Sequence, residues 1–90
     1  MKRAIIIEDD KKVRDIIVAY ASHTGKFSGV DAVESGEEAI DIFEPGKYSL
    51  AIIDIGLFKL SGPEVAYLMR QKDPLILILG ITGYLSLIHI

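Results

Sequence analysis

The chain has 90 residues, half of them hydrophobic, with a formal net charge of −3 and no cysteine. This length predicts one small domain with a packed core, and the lack of cysteine excludes disulfides, thiolate metal sites and cysteine nucleophiles. The apolar runs are too short to span a bilayer, and the modest acidity, without a basic stripe, argues against nucleic-acid binding. We therefore expect a soluble cytoplasmic domain that binds neither nucleic acid nor membrane.

The first predicted element is a strand, the apolar run Ala4–Ile7, which is followed by the acids Glu8, Asp9 and Asp10. Short apolar runs rich in β-branched residues are typical of strands buried on both faces of a parallel sheet. A helix is predicted at 11–22, with Asp10 as its N-cap. The apolar stripe of this helix is expected to face the core and consists of Val13, Ile16, Ile17 and Tyr20.

Strands and helices alternate along the rest of the chain. Two capping boxes, Ser35 with Glu38 and Ser61 with Glu64, each predict the start of a helix. The remaining strands are predicted at 27–30, 50–53 and 75–79. The resulting order, βαβαβαβ, is typical of a parallel sheet with right-handed crossovers.

Acidic residues follow two of the predicted strands, with Glu8 and Asp9 after the first and Asp54 after the third. In open α/β sheets the binding crevice lies beyond the carboxyl ends of the strands. If the two strands are neighbours, at least three carboxylates converge, and like charges that close resist ionising together. A hard cation with oxygen ligands relieves this repulsion. The residues therefore predict Mg²⁺ beside a carboxylate.

Four segments of the chain, at 5–10, 52–57, 60–64 and 81–83, resemble response-regulator receiver domains of two-component systems. They match, in order, the acidic opening, the phosphoacceptor segment, the loop into the third helix and the hydroxyl residue after the fourth strand. The resemblance implies a flavodoxin-like, doubly wound α/β fold with strand order 2-1-3-4-5, in which the first and third strands are neighbours.

The resemblance also implies a role for each matching residue. Asp54 would accept a phosphoryl group from a histidine kinase or a phosphotransfer protein, and Thr82 would hydrogen-bond that group. Glu8 and Asp9, with Asp54 and the carbonyl of Gly56, would bind Mg²⁺. Such a domain is a signalling phosphoacceptor that assists its own phosphorylation and dephosphorylation. Taken singly, these residues also fit simpler interpretations, because acids after strands cap helices and hydroxyls beside glycine occur in turns.

The chain departs from the receiver pattern after its fourth strand. The family's last two helices and fifth strand are missing, and no lysine follows Lys72. Residues 85–90 resemble the translation of a transposon-end adapter used in sequencing libraries, so we expect a truncated receiver domain at 1–84, a non-native tail at 85–90 and a lost effector domain. The sheet would then have the order 2-1-3-4 with a bare fourth-strand edge, which predicts marginal stability and aggregation.

Two other functions remain open from the sequence. A pseudo-receiver that is not phosphorylated and acts as a protein-interaction module would also tolerate the missing lysine. A Mg²⁺-dependent phosphatase of similar fold is disfavoured, because such enzymes tend to carry a second aspartate where this chain has Gly56.

Overall fold

The computed structural model describes residues 1–56, 61–81 and 87–89. Its elements are, in chain order, β1 (Arg3–Ile7), α1 (Lys11–His23), β2 (Val30–Val33), α2 (Gly36–Ile42), β3 (Tyr48–Asp54), α3 (Gly62–Lys72), β4 (Leu77–Ile81) and β5 (Leu87–His89). The first four strands are parallel and have the order β2-β1-β3-β4. The predicted flavodoxin-like α/β fold is confirmed. None of the helices in these ranges is long and apolar enough to cross a membrane.

A short strand lies beside β4, where the sequence analysis predicted a bare edge. β5 runs antiparallel to β4 and pairs with Leu79–Ile81. The prediction of an unpaired fourth-strand edge is therefore wrong for these residues, because the backbone of β5 supplies partners for edge groups of β4. That residues 85–90 are a non-native tail remains a prediction.

β2 begins later than predicted. The strand was expected at 27–30 and occupies Val30–Val33. Its ladder with β1 starts where Val30 lies opposite Ala4. Before that point the backbone N–H of Ser28 donates to the carbonyl of Lys2 as the chain approaches the sheet. Most of the predicted segment 27–30 therefore lies in the chain that leads into β2, and only its last residue belongs to the strand.

β4 is displaced in the same direction, from the predicted 75–79 to Leu77–Ile81. Leu75 is 91% exposed and belongs to the turn after α3. Its backbone N–H donates to Oδ1 of Asp73, the C-cap of that helix, at 3.3 Å. Periodicity alone could not separate the turn from the strand, because both are apolar in sequence.

The helix starts agree with the predicted caps. Oδ1 of Asp10 accepts from the backbone N–H groups of Lys12 and Val13 at 2.9 and 3.3 Å. The hydroxyls of Ser35 and Ser61 accept in the same way at the starts of α2 and α3. These caps satisfy backbone donors that have no partner within a helix.

The core has two layers, one on each face of the sheet. Helices α2 and α3 cover one face, and the largest fully buried side chains of that layer are Ile5, Ile7, Tyr48, Ile53, Val65, Met69 and Ile78. Helix α1 covers the other face with a smaller cluster formed by Ile6, Ile17, Ala21 and Ile81. The strands near the centre are therefore buried on both sides.

The α1 face of the sheet is only partly covered. An open apolar groove of about 490 Å³ lies between α1 and strands β3 and β4, and its lining includes Ile16, Tyr20, Leu50 and Ile52. Tyr20 is 74% exposed and Ile16 46% exposed, so the prediction that both face the core is wrong. One helix is too narrow to cover this face, and the outer part of its apolar stripe lies along the groove.

Candidate metal centre

The strand order brings two acidic strand ends together. β1 and β3 are parallel neighbours, and Ile7 lies opposite Ile53 in their ladder. The next residue on each chain segment is an acid, Glu8 after β1 and Asp54 as the last residue of β3. Because parallel strands end at the same edge of a sheet, both carboxylates lie at one edge.

Three carboxylates form a cluster at this edge. Glu8, Asp9 and Asp54 each offer one carboxylate oxygen, and these oxygens lie within 4.8 Å of one another. Glu8 is buried, Asp54 is half-buried and Asp9 is exposed. The predicted convergence of these three residues is thus present in the structure, and the cluster is open to solvent on the side of Asp9.

The electrostatics of the cluster favour a cation. The pKa of Glu8 is raised to about 8, chiefly by burial and in addition by a hydrogen bond with Asp54 and by the negative charges of Asp54, Asp9 and Asp10. Oε2 of Glu8 is buried without a hydrogen-bond donor among the described residues. A buried carboxylate oxygen without a partner is costly, and a hard cation would pair with it. Oxygen-only ligands of this kind suit Mg²⁺.

The backbone around Asp54 orients its carboxylate. The N–H of Gly56 donates to Oδ1 of Asp54 at 2.9 Å, and the N–H of Ile55 donates to the carbonyl of Ile81 at 3.0 Å. Helix α3 begins directly against this turn. A Cβ on Gly62 would lie 2.5 Å from the Cα of Ile55 and 2.7 Å from the carbonyl oxygen of Asp54, so this close approach requires glycine.

The structure tests the predictions for the remaining site residues to different extents. Gly56 lies beside Asp54, while the role of its carbonyl as a metal ligand stays a prediction. Asp10 caps α1 as expected. Thr82 lies outside the described residues; the strand before it ends at Ile81, whose register partner on β3 is Asp54.

One residue at this edge has no role in the sequence analysis. Arg14, on α1, has a side chain that is only 14% exposed, and its Nη1 donates to the main-chain carbonyl of Glu8 at 2.9 Å. The available signal was its position within the first turns of the helix that follows the acids. Sequence spacing alone does not show which backbone group such a side chain reaches.

Comparisons with known proteins agree with this arrangement. The family described as response regulator receiver domain matches residues 4–89. The transcriptional regulatory protein YcbL of Bacillus subtilis is 35% identical over 69 residues, covering 77% of this chain and 30% of YcbL. The response regulator receiver protein CpdR of Brucella abortus is 30% identical over 84 residues, covering 93% of this chain and 68% of CpdR. The chain thus spans less than a third of the length of YcbL.

A solved structure has the same fold with a metal present. The response regulator protein TrrA of Thermotoga maritima, in complex with Mg²⁺–BeF, superposes with a TM-score of 0.79 at 33% identity, covering 93% of this chain and 71% of TrrA. TrrA in complex with the histidine kinase ThkA superposes with a TM-score of 0.77.

Proposed function

Because the chain belongs to the family of response regulator receiver domains, we propose that it accepts a phosphoryl group on Asp54, from a histidine kinase or a phosphotransfer protein, in a Mg²⁺-dependent reaction. The observation that carries this proposal is the convergence of Glu8, Asp9 and Asp54 within 4.8 Å at the carboxyl edge of the sheet. The resemblance to TrrA, which forms complexes with Mg²⁺–BeF and with a histidine kinase, supports both the metal and the partner.

Each of the three carboxylates would have its own role in binding Mg²⁺. Asp9, exposed at the mouth of the cluster, would ligate Mg²⁺ directly, and Glu8 would ligate it directly or through water. Asp54 and the carbonyl of Gly56 would complete the protein ligands. Bound Mg²⁺ supplies positive charge that neutralises phosphoryl oxygens during transfer.

Asp54 would be the nucleophile. The Gly56 N–H holds Oδ1 of its carboxylate, so we assign Oδ2 to the attack on phosphorus. The new bond joins this oxygen to phosphorus, while the bond from phosphorus to the donor's histidine nitrogen breaks and its electron pair stays with that nitrogen. Carboxylates form aspartyl phosphates of this kind in other enzymes. Thr82 would donate a hydrogen bond to a phosphoryl oxygen without adding charge.

A measurement of metal binding tests whether the cluster holds Mg²⁺. Replacing Asp9 with Asn removes one anionic ligand, and we expect titration calorimetry to show much weaker Mg²⁺ binding than for the wild type. Asp41→Asn is the matched control, because it removes the same charge from an exposed position of α2 that does not belong to the carboxylate cluster. Equal affinity in the wild type and Asp9→Asn would contradict a metal site at this edge.

A phosphorylation assay tests whether Asp54 accepts a phosphoryl group. Acetyl phosphate with Mg²⁺ should add one phosphoryl group to the folded chain, detected by intact mass, and Asp54→Asn should abolish it. Labelling that persists in Asp54→Asn would show that another residue accepts the group. A folded wild type that binds Mg²⁺ but takes no label, from acetyl phosphate or from a kinase, would favour the alternative of a non-phosphorylated interaction module.

A further inference from the structure

Arg14 contacts both ends of the acidic segment that follows β1. Its guanidinium Nη1 donates to the main-chain carbonyl of Glu8 at 2.9 Å. Its backbone N–H donates to the carbonyl of Asp10 at 2.8 Å, which is the first helical bond of α1 and does not depend on the Arg14 side chain. Asp9 lies between these two anchored residues. The Arg14 side chain is largely buried, with 14% of its surface exposed, whereas Lys12 and Asp15 beside it on α1 are exposed.

We propose that Arg14 is a positioning residue whose side chain holds the peptide group between Glu8 and Asp9 and so presents the carboxylates of these two residues to Mg²⁺. The proposal rests on the function proposed above. The N–H of Glu8 donates a hydrogen bond to the carbonyl of Val33 at 3.1 Å, and the side chain of Arg14 donates one to the carbonyl of Glu8. The peptide groups on both sides of Glu8 are therefore fixed, and the start of Asp9 is fixed with them.

The second contact of Arg14 is weaker. Its Nη2 lies 3.8 Å from Oε1 of Glu34, whose side chain is 68% exposed. Exposed ion pairs at such distances contribute little. The bond to the Glu8 carbonyl is shorter, charge-assisted and partly buried, so it accounts for the position of the guanidinium.

A simpler role for Arg14 would be to offset the negative charge of the cluster. The contact argues against it, because the guanidinium bonds the main chain of Glu8 and not its carboxylate. The two roles also predict opposite effects on metal binding. A positive charge near the site opposes a cation, so its removal should tighten Mg²⁺ binding, whereas loss of a positioning contact should weaken it.

The experiment compares Mg²⁺ affinities by titration calorimetry at one ionic strength. We expect Arg14→Ala to weaken binding about tenfold, as loss of an outer-shell contact does at other metal sites. Arg14→Lys should restore part of the affinity, because an ammonium can still donate to the Glu8 carbonyl. Lys12→Ala is the matched control, since it removes one positive charge from the same turn of α1, and its affinity should not fall.

A metal-free measurement reports on the backbone itself. Hydrogen exchange of the Glu8 amide, measured in the presence of a chelator, should be faster in Arg14→Ala than in the wild type and Lys12→Ala. The Ile6 amide, in the middle of β1, serves as the reference and should not change. If Arg14→Ala shows no cooperative melt, Arg14→Gln takes its place, because it removes the charge and keeps a short donor.

The possible outcomes are separable. A wild type that binds no Mg²⁺ contradicts the proposed function. A wild type that binds Mg²⁺ while Arg14→Ala binds it equally or more tightly overturns the positioning role alone, whatever the exchange rates. Weaker binding with faster exchange at Glu8, both partly restored in Arg14→Lys, supports it.

Discussion

The hydroxyl of Tyr48, at the start of β3, donates a hydrogen bond of 2.7 Å to Oδ2 of Asp31 on β2, although β1 lies between these two strands. Arg3 of β1 completes the contact, with Nη2 donating to Oδ1 of the same carboxylate at 2.6 Å. The network lies at the opposite end of the sheet from the acidic cluster. It joins the beginnings of three strands, and two of these, β1 and β3, lead to Glu8 and Asp54 at their other ends.

Removing the Tyr48 hydroxyl should destabilise the fold. In Tyr48→Phe the stacked contact with Phe43, at 5.7 Å between ring centroids, is kept, so only the hydrogen bond is lost. We expect the free energy of unfolding to fall by about 1 kcal/mol, measured by urea denaturation. Tyr20→Phe is the control, because Tyr20 is 74% exposed and its variant should match the wild type. An unchanged unfolding free energy in Tyr48→Phe would show that the network does not stabilise the sheet.

Glu8 should make the metal-free chain less stable as the pH rises. Its pKa is about 8 in the folded protein, against about 4.3 in an unfolded chain. Below both pKa values Glu8 is protonated in the folded and in the unfolded chain. Between the two values only the unfolded chain releases the proton, so the free energy of unfolding falls as the pH rises. The fall levels off above about pH 8. We expect Glu8→Gln to flatten this dependence in melting temperatures recorded with a chelator.

The same melts, repeated with Mg²⁺, provide the check on Glu8. Added metal should raise the melting temperature of the wild type near pH 8 much more than that of Glu8→Gln, because bound cation stabilises only a folded state that can hold it. Parallel pH profiles for the two proteins without metal would contradict the raised pKa.

A side chain at Gly62 should disturb both stability and the metal site. The Cβ of Gly62→Ala would press on the backbone of Asp54 and Ile55, which cannot yield as a flexible side chain would. We expect a loss of about 1–3 kcal/mol in unfolding free energy and weaker Mg²⁺ binding. Gly56→Ala is the comparison, because its nearest atom, Oδ1 of Asp54, is at an ordinary 3.5 Å. Equal behaviour of the two variants would refute close packing of α3 against this turn.

Removing the last residues should promote aggregation. β5 pairs with Leu79–Ile81, and a chain ending at residue 84 would leave these groups of β4 unpaired beside the apolar groove. Exposed apolar edges recruit other chains, so light scattering at equal concentration should rise faster for the shortened chain. If the shortened chain scatters no more than the full one, β5 does not protect the edge of β4.

Much of the architecture was predictable because its causes are local. The caps at Asp10, Ser35 and Ser61 depend on groups two or three residues away, and the apolar runs with acids behind them identified the strands that end at the candidate site. The predicted meeting of Glu8 and Asp54 needed one further assumption, that β1 and β3 are neighbours, which the family resemblance implied and the structure confirms.

Tertiary structure decided what depends on distant partners. The bounds of β2 and β4 follow from ladder register, which local composition does not specify. The exposure of Tyr20 follows from how much of the sheet one helix can cover. The edge of β4 has backbone partners because β5 pairs with it. The reach of Arg14 to the Glu8 carbonyl depends on how α1 packs against the sheet. The order of the elements and the acids of the site were thus predictable from the amino-acid sequence. Which backbone groups hold those acids in place was not, because these contacts join residues that are close in space and leave no periodic pattern along the chain.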